Sequence, residues 1–447
     1  MTKSISQSLL NLFDESQVIT NSSAVERLSK DYYWYSPVLK ELLEDKKADV
    51  VVMPKDEKEI IQVLSMAVQE QIPVTVRGAG TGNYGQIIPI KGGILIDITN
   101  MNQIIDIQEG SARVQPGVRL GLLERRLREE NQELCIYPST YMKSTASGFV
   151  CGGSGGIGSI TWGNLWDGNV KELRVVTMDS NPRVIKVTGD DLINYIHSYG
   201  TTGIITEIVF RITKKIEWQQ LIVSFDDLSD SLLFAKTLGE NTQIKKRSIS
   251  TCEWPIPSYF KPLEKVIKPE KHIVFLEIDE SSYEDLQEMA GQFNGEITHC
   301  IPAASYHKGI SLSDFTWNHT TLWALKVNEN MTYLQGSFEL DRFLEQISLI
   351  KDRFGDEFYT HFDWFRSKGE LIPQSIPLVR YTTKDRLNEM IEFCESIGVK
   401  IFNPHTPLLE EGGWEAHIDN VLRKKQENDP HGLLNPGKIG LTLNSNK

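Results

Sequence analysis

The sequence has few cysteines, no long apolar run and no excess of basic residues, and each shortage excludes a class of protein. Its five cysteines lie far apart without a C-x-x-C pair, which argues against a disulfide framework or a zinc site. No run of about 18 apolar residues predicts a membrane span, and the first residues lack the apolar core of a signal peptide. The net charge of −13 argues against nucleic acid as a partner. We therefore expect a cytoplasmic protein without a transmembrane segment.

Glycine, by contrast, is concentrated in a stretch that contains no acidic residue. Residues 138–163 read PSTYMKSTASGFVCGGSGGIGSITWG, with seven glycines between Gly148 and Gly163. Glycine lets a backbone approach a ligand closely, and the serines and threonines add short hydrogen-bond donors. The stretch is interpreted as a cradle for a phosphate or pyrophosphate. The alternative is a glycine loop without a ligand.

A second glycine-rich loop follows a strand–helix–strand pattern. A predicted strand at 48–53, an amphipathic helix and a strand at 74–77 lead into residues 78–85, GAGTGNYG. This loop matches the dinucleotide pattern G-x-G-x-x-G. The residues after it, 86–93, contain proline and β-branched residues that do not begin a helix, as the Rossmann fingerprint requires. A Rossmann nucleotide fold is therefore rejected.

The character of the chain changes after Lys215. Predicted strands at 218–225 and 272–279 alternate with helices near 227–239 and 281–292. This alternation predicts a second α+β domain.

The order of motifs resembles the FAD-binding domain of the vanillyl-alcohol oxidase superfamily, of the PCMH type. The motifs are RGAGTG at 77–82, IDIT at 96–99, VQPGV at 114–118, the stretch 138–163, and GTTGIIT at 200–206. The nearest branch is that of glycolate oxidase subunits and D-lactate dehydrogenases. The resemblance is continuous over roughly 48–215 and returns at NPGK, residues 435–438.

The resemblance implies an α+β fold in three parts. A two-subdomain, PCMH-type FAD-binding domain spans residues 1–215, with its core at 48–215. An α+β substrate or cap domain spans 216–415. A C-terminal segment, 416–447, returns to the flavin.

The resemblance also implies which residues contact FAD, through two loops that share the charge of the pyrophosphate. The implied contacts are Arg77, Gly78, Ala79, Gly80, Thr81, Gly82, Pro138, Ser139, Ser144, Ser147, Gly148, Gly152, Gly153, Gly156, Gly158, Ser159, Ile205, Asn435 and Lys438.

Two departures from the family pattern bear on the cofactor and the substrate. Relatives with covalent flavin carry a histidine in the first loop, where this chain has Gly82-Asn83-Tyr84, and Cys151 lies at the wrong offset for the cysteine that others use. We therefore expect non-covalent FAD. The segment HxGDGNxH of the 2-hydroxy-acid branch is absent, which argues against a bound metal and weakens the case for a 2-hydroxy acid as substrate.

Four residues of the second domain are candidates for the chemistry. A base must take a hydroxyl proton as hydride leaves. The candidates are His319 on a predicted strand, His361 on a strand that turns it to the same face as Asp363, and His405 in a loop between prolines. Each is alternatively a structural histidine. Arg380, at the end of an apolar strand, is the candidate anchor for a carboxylate; the alternative is a structural ion pair.

These observations predict an FAD-dependent dehydrogenase or oxidase that transfers hydride from a small hydroxylated substrate to flavin N5. One alternative is the flavin-bearing subunit of a glycolate-oxidase-like complex, which passes electrons to an iron–sulfur partner. Another is an NADPH-dependent reductase of the enolpyruvyl-sugar type. The electron acceptor (oxygen, a quinone or an electron-transfer protein) and the oligomeric state, including a homodimer, stay open.

Overall fold

The computed structural model describes residues 2–414 and 417–440. Its α-helices are α1 (Thr2–Leu10), α2 (Ser22–Leu28), α3 (Pro37–Leu43), α4 (Glu57–Gln69), α5 (Leu120–Glu129), α6 (Ala146–Gly152), α7 (Ser159–Trp162), α8 (Leu228–Glu240), α9 (Tyr283–Gln292), α10 (Asn318–Val327), α11 (Phe343–Phe354), α12 (Lys384–Ser396) and α13 (Ile418–Asn428). Its strands are β1 (Val18–Ile19), β2 (Val50–Val52), β3 (Val74–Arg77), β4 (Ile94–Asp97), β5 (Ile104–Gln108), β6 (Ser111–Val114), β7 (Gln132–Leu134), β8 (Val170–Val176), β9 (Val184–Thr188), β10 (Ile204–Lys214), β11 (Trp218–Phe225), β12 (Lys246–Cys252), β13 (His272–Asp279), β14 (Glu296–Ile301), β15 (Met331–Tyr333), β16 (Gly336–Ser337), β17 (Phe358–Tyr359), β18 (His361–Ser367), β19 (Glu370–Ser375), β20 (Leu378–Arg380) and β21 (Lys400–Ile401).

The first sheet leads directly into the first glycine loop. Its strands pair in the order β1-β2-β4-β3, and β2, β4 and β3 run parallel. Helix α4 packs its apolar face on this sheet, and Asp56 caps the helix by accepting a hydrogen bond from the backbone N–H of Glu59 at 2.9 Å. Strand β3 ends at Arg77, so the loop leaves from the carboxyl edge of the sheet. The predicted strand–helix–strand order is confirmed.

The second sheet supports the second glycine stretch. Its strands pair antiparallel in the order β5-β6-β10-β8-β9, with β7 also beside β10. Helices α5 and α6 pack on the sheet through a common apolar cluster. Helix α6 begins inside the glycine stretch, where Thr145 accepts a hydrogen bond from the N–H of Gly148 at 3.3 Å. The stretch is therefore partly helical rather than one continuous loop.

The second half of the chain is built on an eight-stranded sheet in the order β14-β11-β13-β12-β18-β19-β16-β21. Helices α8, α9, α11 and α12 cover one face of it through a large apolar cluster. The predicted strands at 218–225 and 272–279 are confirmed as β11 and β13. Strands β15, β20 and β17 form a separate small sheet.

The prediction that His319 lies on a strand is wrong, because it lies in the first turn of α10. Two threonines follow it, and β-branched residues favour strands in general. Here Thr320 and Thr321 are buried, and the Thr320 hydroxyl donates to the backbone carbonyl of Phe315 at 2.8 Å. Tertiary packing thus overrides the local preference.

The C-terminal segment returns to the first sheet. The backbone N–H of Val74 donates to the carbonyl of Leu433 at 2.8 Å, and the N–H of Asn435 donates to the carbonyl of Val74 at 2.6 Å. Between the two halves of the chain, β10 ends at Lys214 and β11 begins at Trp218 in a different sheet. The three-part division stays a prediction, and its boundary at 415 lies outside the described residues.

A buried arginine joins the two halves. Arg247, on β12, is fully buried. Its Nη2 donates to the carbonyl of Leu134 at 2.7 Å, its Nη1 lies 3.4 Å from Glu133 Oε2, and the guanidinium lies 4.5 Å from the centre of the Tyr137 ring. Glu124 lies 3.7 Å from the same Nη1. Burial tends to raise the pKa of Glu124, but Arg247 and His307 outweigh it and lower that pKa overall.

We predict that Arg247→Ala strongly destabilises the protein. The change removes the fully buried cation from a network that Glu124, Glu133 and Arg128 share, and breaking a buried pair costs about 3–5 kcal/mol. Urea unfolding of the holoprotein measures the loss. The matched control is Arg126→Ala, because Arg126 is half exposed and pairs with surface glutamates, a situation worth about 0–1 kcal/mol. Equal unfolding midpoints for the two variants would contradict a joining role for Arg247.

Candidate functional site

The two glycine loops form adjoining walls of one cavity of about 440 Å³. The hydroxyls of Thr81 and Ser144, one from each loop, lie 3.0 Å apart in a hydrogen bond. The predicted FAD contacts that line the cavity are Gly78, Ala79, Gly80, Thr81, Gly82, Pro138, Ser139, Ser144, Ser147, Gly148, Gly152, Gly153 and Gly156. Two loops that are 56 positions apart at the nearest of these residues, Gly82 and Pro138, thus share one surface.

Arg77 holds the first loop from behind, outside the cavity lining. Its Nη1 lies 3.0 Å from Asp97 Oδ2, and its Nη2 donates to the carbonyl of Ala79 at 3.2 Å. Gly80 has φ +66°, and a Cβ there would lie 2.6 Å from Arg77 Nη2. Only glycine therefore fits this position without strain.

The loop residues fit the pyrophosphate of FAD. A Cβ on Gly78 would lie 2.1 Å from Thr145 Oγ1, and one on Gly82 would lie 2.0 Å from Gln86 Oε1, so side chains would fill the space between the walls. The loops contribute backbone, hydroxyls and no carboxylate to the lining; among the described residues, its acidic member is Asp314 from the second half. Such a surface suits an anion.

Three predicted contacts lie behind the second loop instead of in the lining. The backbone N–H of Gly158 donates to the carbonyl of Arg247 at 2.8 Å. The hydroxyl of Ser159 accepts from the N–H of Gly156 at 2.9 Å. Ile205 is buried in β10, opposite Val175 of β8. Gly158 and Ser159 therefore fix the path of the loop.

Asn435 and Lys438 likewise hold the end of the first loop. Asn435 Nδ2 donates to the carbonyls of Gln86 and Tyr199 at 3.0 and 2.7 Å, and Lys438 Nζ donates to the carbonyl of Gly85 at 2.5 Å. Burial lowers the pKa of Lys438 to about 7, although Asp31 opposes this. Neither side chain lines the cavity.

Of the three predicted histidines, His319 is the one that lines the cavity. Burial lowers its pKa to about 4, although a hydrogen bond to the backbone of Ser313 opposes this. Its Nδ1 is buried without a hydrogen-bond partner.

His361 supports His319 from outside the cavity. It is fully buried, and its Nε2 lies 3.2 Å from Asp363 Oδ2, so the prediction that both side chains share a face is confirmed. Asp363 in turn accepts from the backbone N–H of Trp317 at 3.1 Å. Trp317, at φ +52°, immediately precedes α10. The pair thus fixes the turn from which His319 projects.

His405 and Arg380 also lie outside the lining. The Nδ1 of His405 lies 2.7 Å from the hydroxyl of Ser36, and its Nε2 lies 2.8 Å from the carbonyl of Tyr333. Arg380 stands at the exposed end of β20, with Nη2 3.4 Å from the hydroxyl of Tyr359. Because the strand carries it away from the glycine loops, the expectation that Arg380 anchors a carboxylate in this cavity does not match its position.

Sequence reasoning missed most of the wall that faces the glycines, to which the end of the first loop also contributes Asn83 and Tyr84. Tyr84 of this wall donates its hydroxyl to Gln335 Oε1 at 2.6 Å. His197 also lines the cavity, and burial lowers its pKa to about 4. The run of aromatic residues at 32–35 was the available signal. The remaining wall residues are Tyr32, Tyr35, Asn83, Trp317, Asn318, Leu322 and Ile376.

The comparisons with known proteins agree with the site. Residues 48–185 match the family model for an FAD binding domain. The chain is 25% identical over 427 residues to the glycolate oxidase subunit GlcD of Bacillus subtilis (strain 168), and the alignment covers 88% of each chain. It is 30% identical over 199 residues to the D-lactate dehydrogenase of Anaerostipes hadrus, about two fifths of each. These matches confirm the resemblance inferred from the motifs.

Solved structures show the same fold. An alkyldihydroxyacetonephosphate synthase superposes with a TM-score of 0.74 at 15% identity, covering 98% of this chain and 86% of that one. Within residues 2–414 and 417–440, no helix has the length and apolar character needed to cross a bilayer. The same residues contain no group of three or more His, Cys, Asp or Glu side chains placed to hold a metal ion.

We predict that the flavin is released on denaturation. Asn83 lies in the stretch where covalent relatives carry a histidine, and its Nδ2 donates to the Tyr333 hydroxyl at 2.9 Å. Burial raises the pKa of Cys151 to about 12, so its sulfur stays a weakly nucleophilic thiol. Acid precipitation should leave the flavin in the supernatant. A flavin-fluorescent protein pellet would contradict this expectation.

We also predict that Gly80→Ala weakens FAD binding by about tenfold or more, because the new Cβ displaces Arg77 from the loop that it shapes. Titration of the apoprotein with FAD, followed by flavin fluorescence, measures the affinity. Gly110→Ala is the matched control: Gly110 has φ +75° and open space around its Cβ. The two variants thus carry similar backbone strain, and an equal change in FAD affinity would refute the role of Gly80.

Proposed function

We propose that this FAD-linked oxidoreductase, which has a PCMH-type FAD-binding domain, oxidises a small hydroxylated substrate with His319 as the base. The observation that carries the proposal is the position of His319, which lines the same cavity as both glycine loops. His361 and His405 are held by other partners outside it. The substrate hydroxyl would lie against Nδ1 of His319.

The cofactor-holding residues fall into two groups in this proposal. The glycines and hydroxyls that line the cavity would contact FAD directly, with Thr81 and Ser144 near the pyrophosphate. Arg77, Asn435 and Lys438 would not contact FAD but would hold the first glycine loop in place. When bound, FAD supplies the hydride acceptor.

The proton is handled by the protein. Nδ1 of His319 has no partner in the protein, so in the tautomer that is protonated at Nε2 it would accept the proton of the substrate hydroxyl. Asp363 accepts a hydrogen bond from the backbone N–H of Trp317 and so fixes the turn that carries the His319 ring. A base positioned in this way contributes roughly 10²–10⁴-fold to the rate.

We predict that His319→Gln slows flavin reduction by roughly 10²–10⁴-fold. Glutamine keeps a polar side chain of similar reach but does not accept the proton. Anaerobic single-turnover bleaching of the flavin by substrate measures the rate. His197→Gln tests the second histidine of the cavity, and His405→Gln tests a buried histidine outside it. A wild-type rate in His319→Gln, or an equal loss in His197→Gln, would refute the assignment.

The pH profile gives an independent readout. The base acts unprotonated, and burial lowers the pKa of His319 to about 4. Therefore kcat/KM should stay level as pH falls through neutrality and decline only as pH passes below about 4. His319→Gln should lose this acid limb. A limb near pH 6.5, the ordinary value for histidine, would contradict a buried base.

A second candidate is a flavin-bearing subunit of a larger complex. It is supported by the match to the glycolate oxidase subunit of Bacillus subtilis over 88% of both chains. Two measurements on the protein purified alone separate the candidates. A subunit would be bleached by substrate but would pass electrons slowly to dyes until its partner is added, whereas a self-sufficient enzyme would turn over with dye or oxygen alone.

A further inference from the structure

We propose that the substrate is an uncharged, hydroxyl-bearing ring, such as a neutral sugar or cyclic polyol, and not a 2-hydroxy acid. This inference rests on the proposed function. The wall opposite the glycine loops carries this inference. It is formed by aromatic rings and neutral amides from four distant segments of the chain, and it presents buried hydrogen-bond acceptors that a carboxylate cannot satisfy.

The aromatic part of the wall offers flat apolar faces. Tyr32 and Tyr35 are in edge contact, with ring centres 5.8 Å apart. Together with Trp317 they join an apolar cluster that includes Leu322 and Ile376. Aromatic faces combine large apolar area with little loss of side-chain freedom. They match the C–H face of a ring better than the two or three carbons of a small hydroxy acid.

The polar part of the wall is a relay of neutral groups. The Tyr84 hydroxyl donates to Gln335 Oε1 at 2.6 Å and also interacts with the Asn318 side chain. The Oδ1 of Asn318 is buried without a hydrogen-bond partner.

Two buried acceptors remain without partners at this wall. They are Asn318 Oδ1 and, in the Nε2-protonated tautomer in which His319 acts as the proposed base, Nδ1 of that adjacent residue, and both residues line the cavity. A buried acceptor without a donor is costly, so the natural ligand brings O–H donors. A neutral polyol has one on every hydroxyl. An ionised carboxylate is an acceptor only and would face both lone pairs.

Three cations near the cavity are held by other groups or lie outside its lining. Arg77 pairs with Asp97, Lys438 donates to Gly85, and Arg380 lies outside the lining. Within the described part of the chain, the lysine or arginine that lines the cavity is Lys143, which is exposed and belongs to the second glycine loop. Lys143 and Lys326 are close enough to His319 to lower its pKa, but both are exposed, so a carboxylate buried at the aromatic wall would lack a buried opposite charge, which is unfavourable.

The experiment compares two ligand panels on the holoprotein. Glucose and myo-inositol represent neutral rings; glycolate, D-lactate and oxalate represent small acids. Isothermal calorimetry measures binding, and anaerobic bleaching of the flavin measures reaction. We expect binding and bleaching with a neutral ring and not with the acids. We expect Asn318→Ala to weaken neutral-ligand binding about tenfold with unchanged affinity of the apoprotein for FAD.

Asn102→Ala is the matched control, since the Asn102 side chain is exposed and donates to Thr99 far from the cavity. Tighter binding of an acid than of every neutral ring would overturn the inference and leave the proposed function standing, most clearly if Lys143→Gln abolished that binding. Loss of FAD affinity in Asn318→Ala, or binding of neither panel, would also overturn it. Neutral-ring binding in wild-type protein without any bleaching would instead count against the proposed function.

Discussion

The geometry of the cavity depends on one buried residue, Arg247. Its side chain is held by Glu133 and by the carbonyl of Leu134, and its own carbonyl accepts the N–H of Gly158. The eight-stranded sheet of the second half is thereby fixed to both ends of the segment that forms one loop wall. A charge in the interior is tolerated only when it is paired in this way. The same pairing sets the distance between the cofactor loops and the wall that faces them.

The cofactor side of the site could be predicted from the sequence, because there the backbone of glycine-rich loops forms the surface for the cofactor. Glycine at Gly78, Gly80 and Gly82 leaves a pattern that does not depend on what the enzyme oxidises. The strand before that loop, Val74–Arg77, was predicted at the observed bounds. Arg77 and Lys438 belong to the same motifs. The motifs do not show that these side chains lie behind the loops and outside the cavity lining, because that position depends on tertiary contacts.

Most of the wall that faces the glycines could not be predicted from the sequence, because its residues come from distant segments of the chain. Tyr32 comes from the N-terminal segment and Gln335 lies 303 positions later, and only the folded chain brings them to one surface. His319 was singled out for its hydrogen-bonding neighbours but assigned to a strand, because the threonines after it favour strands locally. Arg380 was chosen as a charge on an apolar strand, a criterion that says nothing about the direction in which the strand carries it.

Burial couples the base to the substrate class. The environment that lowers the pKa of His319 to about 4 does so because it disfavours charge, and it disfavours a substrate carboxylate for the same reason. The exposed Lys143 and Lys326 already lower the pKa of His319, and a site that needed to hold an acid would have to supply a buried cation beside that wall. The cation would lower the pKa of the histidine further and make it a still weaker base. A neutral substrate avoids this conflict, since its hydroxyls satisfy the free acceptors of Asn318 and His319 without adding charge.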